Sequence, residues 1–220
     1  MRAVIIDTET TGLPDKPPSD YPYRWYHARD FKHYDGARVV QIAWVILVND
    51  RIISKTSFVI RPDNYIVPNE STAIHGISHE NAVKNGVPFY ETANKLKVEL
   101  DKCNIVVAHN MKFDMSIILA ECYRYKLWSI IDTFYKTPRF DTMWEGRKDL
   151  NLGKVPKLVE LHKLLFNKDY HQVHDALDDA LLATKCFSKI IMYRKHREFK
   201  EHNSLRPRHM IRKPNRFKHF

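Results

Sequence analysis

Cysteine is scarce. Cys103, Cys122 and Cys186 are the only three in 220 residues, they lie far apart, and no CxxC pair occurs. An odd, dispersed set argues against a disulfide framework and a structural zinc site, and predicts a reducing intracellular compartment. Long apolar runs are missing too. None approaches the ~18 residues needed to cross a bilayer, so no membrane partner is expected. The N-terminus does not read as a secretory leader, because its short apolar run meets acids at Asp7 and Glu9. No internal repeat is present. Length makes staples unnecessary: a chain of this size buries roughly 70% of its unfolded surface and suits one α/β domain with a small extension.

Negative charge is short in one place. The chain carries a net charge of +10, and residues 194–220 hold ten Lys/Arg against two Glu. The preceding 193 residues are therefore close to balance. Phe199, Phe217 and Phe220 are interleaved with the basic residues. This segment reads either as a solvated, disordered tail or as an electrostatic arm for nucleic acid, and an arm of this kind is often disordered until bound.

The rest of the chain alternates in type. Residues 2–6 predict a first strand. Residues 13–37 form a long irregular insert with four prolines and many aromatics, and a loop of that length is often functional. Residues 38–48 and 51–60 predict two strands joined by a hairpin turn at Asn49-Asp50, the first apolar enough for burial on both faces. Residues 69–78 read as a polar loop with a short helical piece. Phe89, Ala93, Leu96, Leu100 and Cys103 repeat at helical spacing, so residues 88–103 predict a helix. A strand is expected at 104–108. A helix at 111–126 follows, with Asn110 in the N-cap position. Residues 132–141 suggest no more than a short strand. Helices are expected at 156–166 and 175–193. Three strands followed by helix–strand–helix alternation predict an α/β fold: a mixed sheet with helices on its faces.

Chemistry concentrates in the acids. In a strand, residues i and i+2 share a face, so Asp7 and Glu9 emerge together where the first strand ends. No Lys or Arg separates them. Adjacent carboxylates raise each other's pKa unless a cation sits between them, and an oxygen-only set suits Mg²⁺ or Mn²⁺. Asp114 falls in the first turn of a predicted helix, where the helix dipole alone would favour it. On the last helix Asp179 heads an apolar stripe with Ala183, Cys186 and Ile190, whereas Asp178 shares the solvent arc with Lys185, Ser188 and Lys189. An acid aimed at buried structure needs a hydrogen bond or a cation, so Asp179 is the expected functional member of that pair.

Three segments, "DTETTG" at 7–12, "HNMKFD" at 109–114 and "HDALDD" at 174–179, resemble in order and spacing the exonuclease motifs of the DnaQ-like DEDDh 3′–5′ exonucleases. The resemblance extends to "RVVQIAW", "AIHGIS" and "PKLVELHKLLF" and covers about residues 2–192. The insert at 13–37 and the basic tail lie outside it. It implies an RNase H-like mixed central sheet, three antiparallel-type strands then parallel ones, with helices on both faces. It also implies an exonuclease domain at residues 1–193, with 194–220 appended. Two divalent ions, Mg²⁺ or Mn²⁺, would be held by Asp7, Glu9, Asp114 and Asp179. Asp7 would bridge both, Glu9 and Asp179 would complete the site nearer the attacking water, and Asp114 would hold the second ion. His174 resembles the general base, a role its ordinary pKa near 6.5 suits. Thr10, Leu13, His75 and Asn110 lie where the family meets the terminal nucleotide, each with an ordinary packing role as the alternative. The insert's aromatics read either as a stacking surface for unpaired bases or as a packed flap. The implied activity is release of nucleoside 5′-monophosphates from the free 3′ end of single-stranded or frayed DNA or RNA, with a polymerase or replication protein as a further partner. A binding module in which catalysis is dispensable is the alternative from another class. A Mg²⁺-dependent phosphatase of small molecules would leave the basic tail unexplained.

Overall fold

A computed structural model describes residues 1–20 and 24–204. Tyr21 and Tyr23 of the insert, and 205–220 of the basic segment, lie outside the described residues. Five strands form one sheet in the order β3-β2-β1-β4-β5. β1 (Arg2–Thr10), β2 (Val39–Val48) and β3 (Arg51–Val59) pair antiparallel. β4 (Ile105–Ala108) lies parallel to β1, and β5 (Arg139–Asp141) parallel to β4. Asn49 and Asp50 both take positive φ, 47° and 63°, as a tight β2–β3 turn needs. β2 is buried on both faces over all but its last residue.

Alternation along β1 divides the interior in two. Val4 and Ile6 face a core shared with α3 (Phe89–Leu100), α4 (Met111–Arg124) and α5 (Trp128–Lys136). Ala3 and Ile5 face a second core under α7 (Leu158–Phe166) and α8 (Ala176–Ser204). Two short helices, α1 (Asn69–His75) and α2 (His79–Asn85), follow β3, and α6 (Thr142–Asp149) follows β5. No described helix is long and apolar enough to cross a membrane, and all three cysteines are unpaired.

Several elements differ from expectation. β1 continues past Ile6 to Thr10, so both of its acids stand within the strand. α5 overlaps a stretch where no more than a short strand was expected, and α2 and α6 fall where no element was expected. α8 runs past Tyr193 to Ser204, so the first part of the basic segment continues a helix. That extension is anchored early: Arg194 bridges to Glu145 and, at 2.6 Å, to Asp149 of α6. The described part of the insert packs as a flap. Trp25 and Tyr34 are buried, Tyr34 donates its hydroxyl hydrogen to the Tyr26 carbonyl at 2.6 Å, and Trp25 meets Phe113 edge-on at 6.3 Å.

Candidate active site

β1 outruns its parallel neighbour. Pairing with β4 stops at Ile5↔Val107, while β1 continues beside β2 as far as Thr10↔Val39. The notch left at the carboxyl end of β4 is the kind of crevice in which α/β folds bind ligands. Asp7 and Glu9 follow Ala3 and Ile5 on the face covered by α8. Thr8 takes the opposite face, where its hydroxyl donates to Asp114 Oδ1 at 2.8 Å. Asp114 is buried at 3% exposure in the first turn of α4.

The start of α4 is held by its neighbours. His109 sits between the Thr142 hydroxyl, 3.0 Å from Nδ1, and the Pro156 carbonyl, 3.1 Å from Nε2. Burial pushes its pKa down to about 4, so the ring is a neutral strut. Asn110 occupies the N-cap position in a left-handed conformation, φ 66°, but its side chain makes no capping bond. Its backbone N–H instead donates to Asp141 Oδ1 at 3.0 Å. The expectation of an ordinary Asn cap is corrected: the carboxylate at the end of β5 takes over part of that work.

α8 supplies the fourth carboxylate. Asp179 is buried at 5% exposure. Its Oδ2 accepts from Gln172 Nε2 at 2.8 Å, and its Oδ1 has no hydrogen-bond partner among the described residues. Asp178 is partly buried rather than on a bare solvent face, and its Oδ1 accepts from the Tyr170 hydroxyl at 2.6 Å. His174 is exposed, with φ 50°, in the segment leading into the helix. The capping residue is Asp175, whose Oδ1 accepts from the backbone N–H of Leu177 and of Asp178, both at 3.0 Å. Gln41 of β2 clamps this helix start. It donates to Asp175 Oδ2 at 2.8 Å and accepts from the Ala176 N–H at 3.0 Å.

These acids repel one another. Asp7 is held well above its usual range, first by burial and then by the charges of Asp114, Asp179, Glu9 and Asp175. Glu9 is pushed up to about 8 by burial and by Asp179, Asp114 and Asp175. Burial lifts Asp114 to about 7 although Thr8 opposes the shift. Asp179 is raised by burial, against the pull of Gln172 and His174. Every charge that shifts Asp7 and Glu9 is another carboxylate. Ligating atoms of Glu9, His174 and Asp179 lie within 4.8 Å of one another. A set of hard oxygen donors, including one buried oxygen without a partner, fits a divalent cation.

The candidate substrate contacts divide. The Thr10 hydroxyl donates to the Gly12 carbonyl at 2.7 Å. His75 ends α1, and Gly76 follows with φ 76°, a turn glycine makes without strain. The His75 ring is buried beside the backbone of Thr10, and burial lowers its pKa. Its Nδ1 accepts from the Ile77 N–H at 3.1 Å, and its Nε2 has no partner among the described residues. Leu13 is 65% exposed just beyond the acids. Asn110 sits across the notch beside α4. Sequence reasoning missed Thr8, Gln41, Asp141, Gln172 and Asp175. The last was legible as a cap, since it opens a helix directly after an exposed loop.

The family model described as Exonuclease (RNase_T) matches residues 4–187. DNA polymerase III subunit epsilon of Rickettsia conorii is 25% identical over 197 residues, covering 87% of this chain and 74% of that protein. The 3′-5′ exonuclease DinG of Bacillus subtilis is 31% identical over 124 residues, 56% of this chain and 11% of DinG. Among solved structures, E. coli exonuclease I in complex with a dT13 oligonucleotide superposes with a TM-score of 0.64 at 16% identity, over 94% of this chain and 44% of that one. Exonuclease X in complex with 5′ overhanging duplex DNA gives 0.56 at 19% identity, over 87% of this chain and 92% of that one. The chain thus spans about a tenth of DinG and under half of exonuclease I. The structural likenesses establish the fold, an RNase H-like mixed sheet with helices on both faces.

Proposed function

The chain belongs to the RNase_T exonuclease family, as a DnaQ-like 3′–5′ exonuclease domain, and on that premise we propose that it hydrolyses phosphodiester bonds at the 3′ end of a nucleic acid strand and releases nucleoside 5′-monophosphates. The observation that carries this reading is the gathering of Asp7, Glu9, Asp114 and Asp179 at one notch, all four raised by burial, and Asp7 and Glu9 raised further by the charges of the other acids. These residues would hold two Mg²⁺ or Mn²⁺ ions. Such a pair, when bound, stabilises the entering and leaving oxygens of a phosphodiester.

The chain's own residues do the rest. Asp7, following the core residues of β1, would serve both ions, with Glu9 and Asp179 completing the ligands of one and Asp114 those of the other. Thr8 fixes the Asp114 carboxylate, and Gln172 and the Gln41–Asp175 clamp fix the start of α8. His174, exposed beside Asp179, takes the proton of the attacking water on an imidazole nitrogen and returns it to solvent. Thr10, Leu13 and His75 on one side, and Asn110 on the other, seat the terminal nucleotide. Leu13 presents its apolar side chain to the terminal base, and unpaired or frayed ends are the substrate. The relatives named as polymerase III epsilon subunits make a polymerase or replication partner part of this proposal. Three unpaired thiols fit a reducing intracellular compartment. The presence of all four carboxylates and the histidine disfavours a pure binding module.

Incubation with 5′-labelled DNA and RNA oligonucleotides in Mg²⁺, in Mn²⁺ and in EDTA tests the reading. A ladder shortening from the 3′ end in metal and absent in EDTA is expected, and the two substrates report the sugar preference. Cleavage undiminished by EDTA, or shortening from the 5′ end, would refute it.

A further inference from the structure

A groove of ≈ 620 Å³ opens beside the acids, between the insert on one side and α4, α5 and α6 on the other. Trp25, Met115, Tyr135, Arg139, Asp141 and Trp144 are among its lining residues. It adjoins the notch: Met111 and Met115, which flank Asp114 on α4, line it, and Asp141, at the end of the strand next to β4, acts on Asp114 by its charge. Two walls are aromatic and accessible: Trp144 is 51% exposed and Tyr135 42%. The cations outnumber the unspent acids. Arg139 is exposed, and its charge reaches Tyr135 together with that of Arg29. Arg24 lies over the Trp25 ring at 5.4 Å and Arg147 over Trp144 at 5.5 Å. Of the two acids, Asp141 is occupied by the backbone N–H groups of Asn110 and Met143, and Glu145 by Arg194.

An exposed tryptophan under one arginine and an exposed tyrosine within reach of two more charges, next to a centre built for phosphodiesters, match unpaired nucleotides. Bases stack on the rings and phosphates meet the guanidinium groups, without demand for a particular base. The wall formed by residues 25–28 comes from the insert, which lies outside the pattern this chain shares with the family. We propose that this groove grips the unpaired nucleotides of the strand whose 3′ end lies among the acids, so that the insert sets a preference for single-stranded over duplex ends. The direction of the strand rests on the exonuclease reading, whereas the groove's affinity for unpaired nucleotides does not.

The test is fluorescence anisotropy in EDTA with 5′-labelled oligothymidylates of about 3 and about 10 nucleotides and a blunt duplex of the longer length. Wild type, Trp144→Ala, Trp144→Phe and Arg139→Ala are compared. Wild type should bind the longer single strand more tightly than the shorter one and than the duplex. Trp144→Ala should weaken the longer strand about tenfold, the scale of one lost base–aromatic stack, with little change for the shorter one. Trp144→Phe should restore most of the loss, and Arg139→Ala should flatten the salt dependence. Equal affinities in wild type and Trp144→Ala, or a duplex bound as tightly as the single strand, would overturn the groove. A protein that binds through Trp144 but hydrolyses neither DNA nor RNA in metal would overturn the exonuclease reading and leave the groove standing.

Discussion

Among the described residues, two clusters of buried or partly buried charge are built in opposite ways. At one, Arg38 and Glu121, 5% and 3% exposed, form a two-pronged pair at 2.5 and 3.1 Å. The Tyr65 ring lies under the guanidinium, its centroid 4.3 Å from the Arg38 carbon, and Arg124 approaches the same carboxylate at 3.5 Å. Burial opposes the Arg38 charge, and Glu121 more than offsets it, so the arginine pKa is raised. At the other, Asp7, Glu9, Asp114 and Asp179 gather without an arginine or lysine among the charges that shift Asp7 and Glu9. Where the fold alone requires buried charge, the chain supplies both signs. Where it supplies only one, the charge is the kind that a cation would balance under the proposed reading.

The sharpest way to break that contrast is to remove one charge from each cluster. Asp7→Asn should reduce nuclease activity in Mg²⁺ by at least roughly 10³-fold, and it should raise the melting temperature in EDTA because it relieves repulsion. Glu121→Ala should do the reverse. It leaves Arg38 buried and unpaired, at a cost of ~3–5 kcal/mol, or about 6–20 °C in Tm at this chain length, while the folded fraction keeps its turnover. A lower Tm for Asp7→Asn in EDTA would show that the acids are neutralised within the fold.

The contrast also predicts a pH dependence. Glu9 has a folded-state value of about 8, and Asp114 about 7, against ordinary values near 4. The folded chain therefore holds more protons than the unfolded one across that window. The contribution of these two groups to stability falls as pH rises from about 4 to about 8 and is level above. Mn²⁺ favours the ionised acids, so Tm measured across pH 5 to 8 should fall in EDTA and flatten or rise in Mn²⁺. Parallel curves with and without metal would break the link between the raised acids and a cation. The smallest expected effect is at Asp178→Asn, which should change turnover by less than about threefold because Asp178 faces Tyr170 rather than the notch. A complete loss there would mean that the wrong acid of the α8 pair has been assigned.

Much of this site was legible in the chain itself. Strand alternation put Asp7 and Glu9 on one face, and helical periodicity set Asp179 apart from Asp178; in the fold Asp179 is buried and Asp178 only partly so. What resisted reading depended on packing partners. α5 carries Ile130, Ile131 and Phe134, residues that favour a strand locally, and it is helical because all three bury against the core shared with α3 and α4. α6 contains Gly146, which argues against a helix until its neighbour is seen: a Cβ there would lie 2.6 Å from Leu161 Cδ1 of α7. The roles of Gln41 and Asp141 are equally invisible in sequence, because each acts on a segment far away along the chain.

Calorimetric titration of Mn²⁺ into the metal-free protein, in two buffers of different ionisation enthalpy near pH 7, probes the acid cluster most directly. Two ions should bind per chain, with net release of protons as Glu9 and Asp114 ionise, and Asp7→Asn should abolish tight binding of both. Saturable binding that is the same in wild type and Asp7→Asn, or no saturable binding at millimolar metal, would contradict the account.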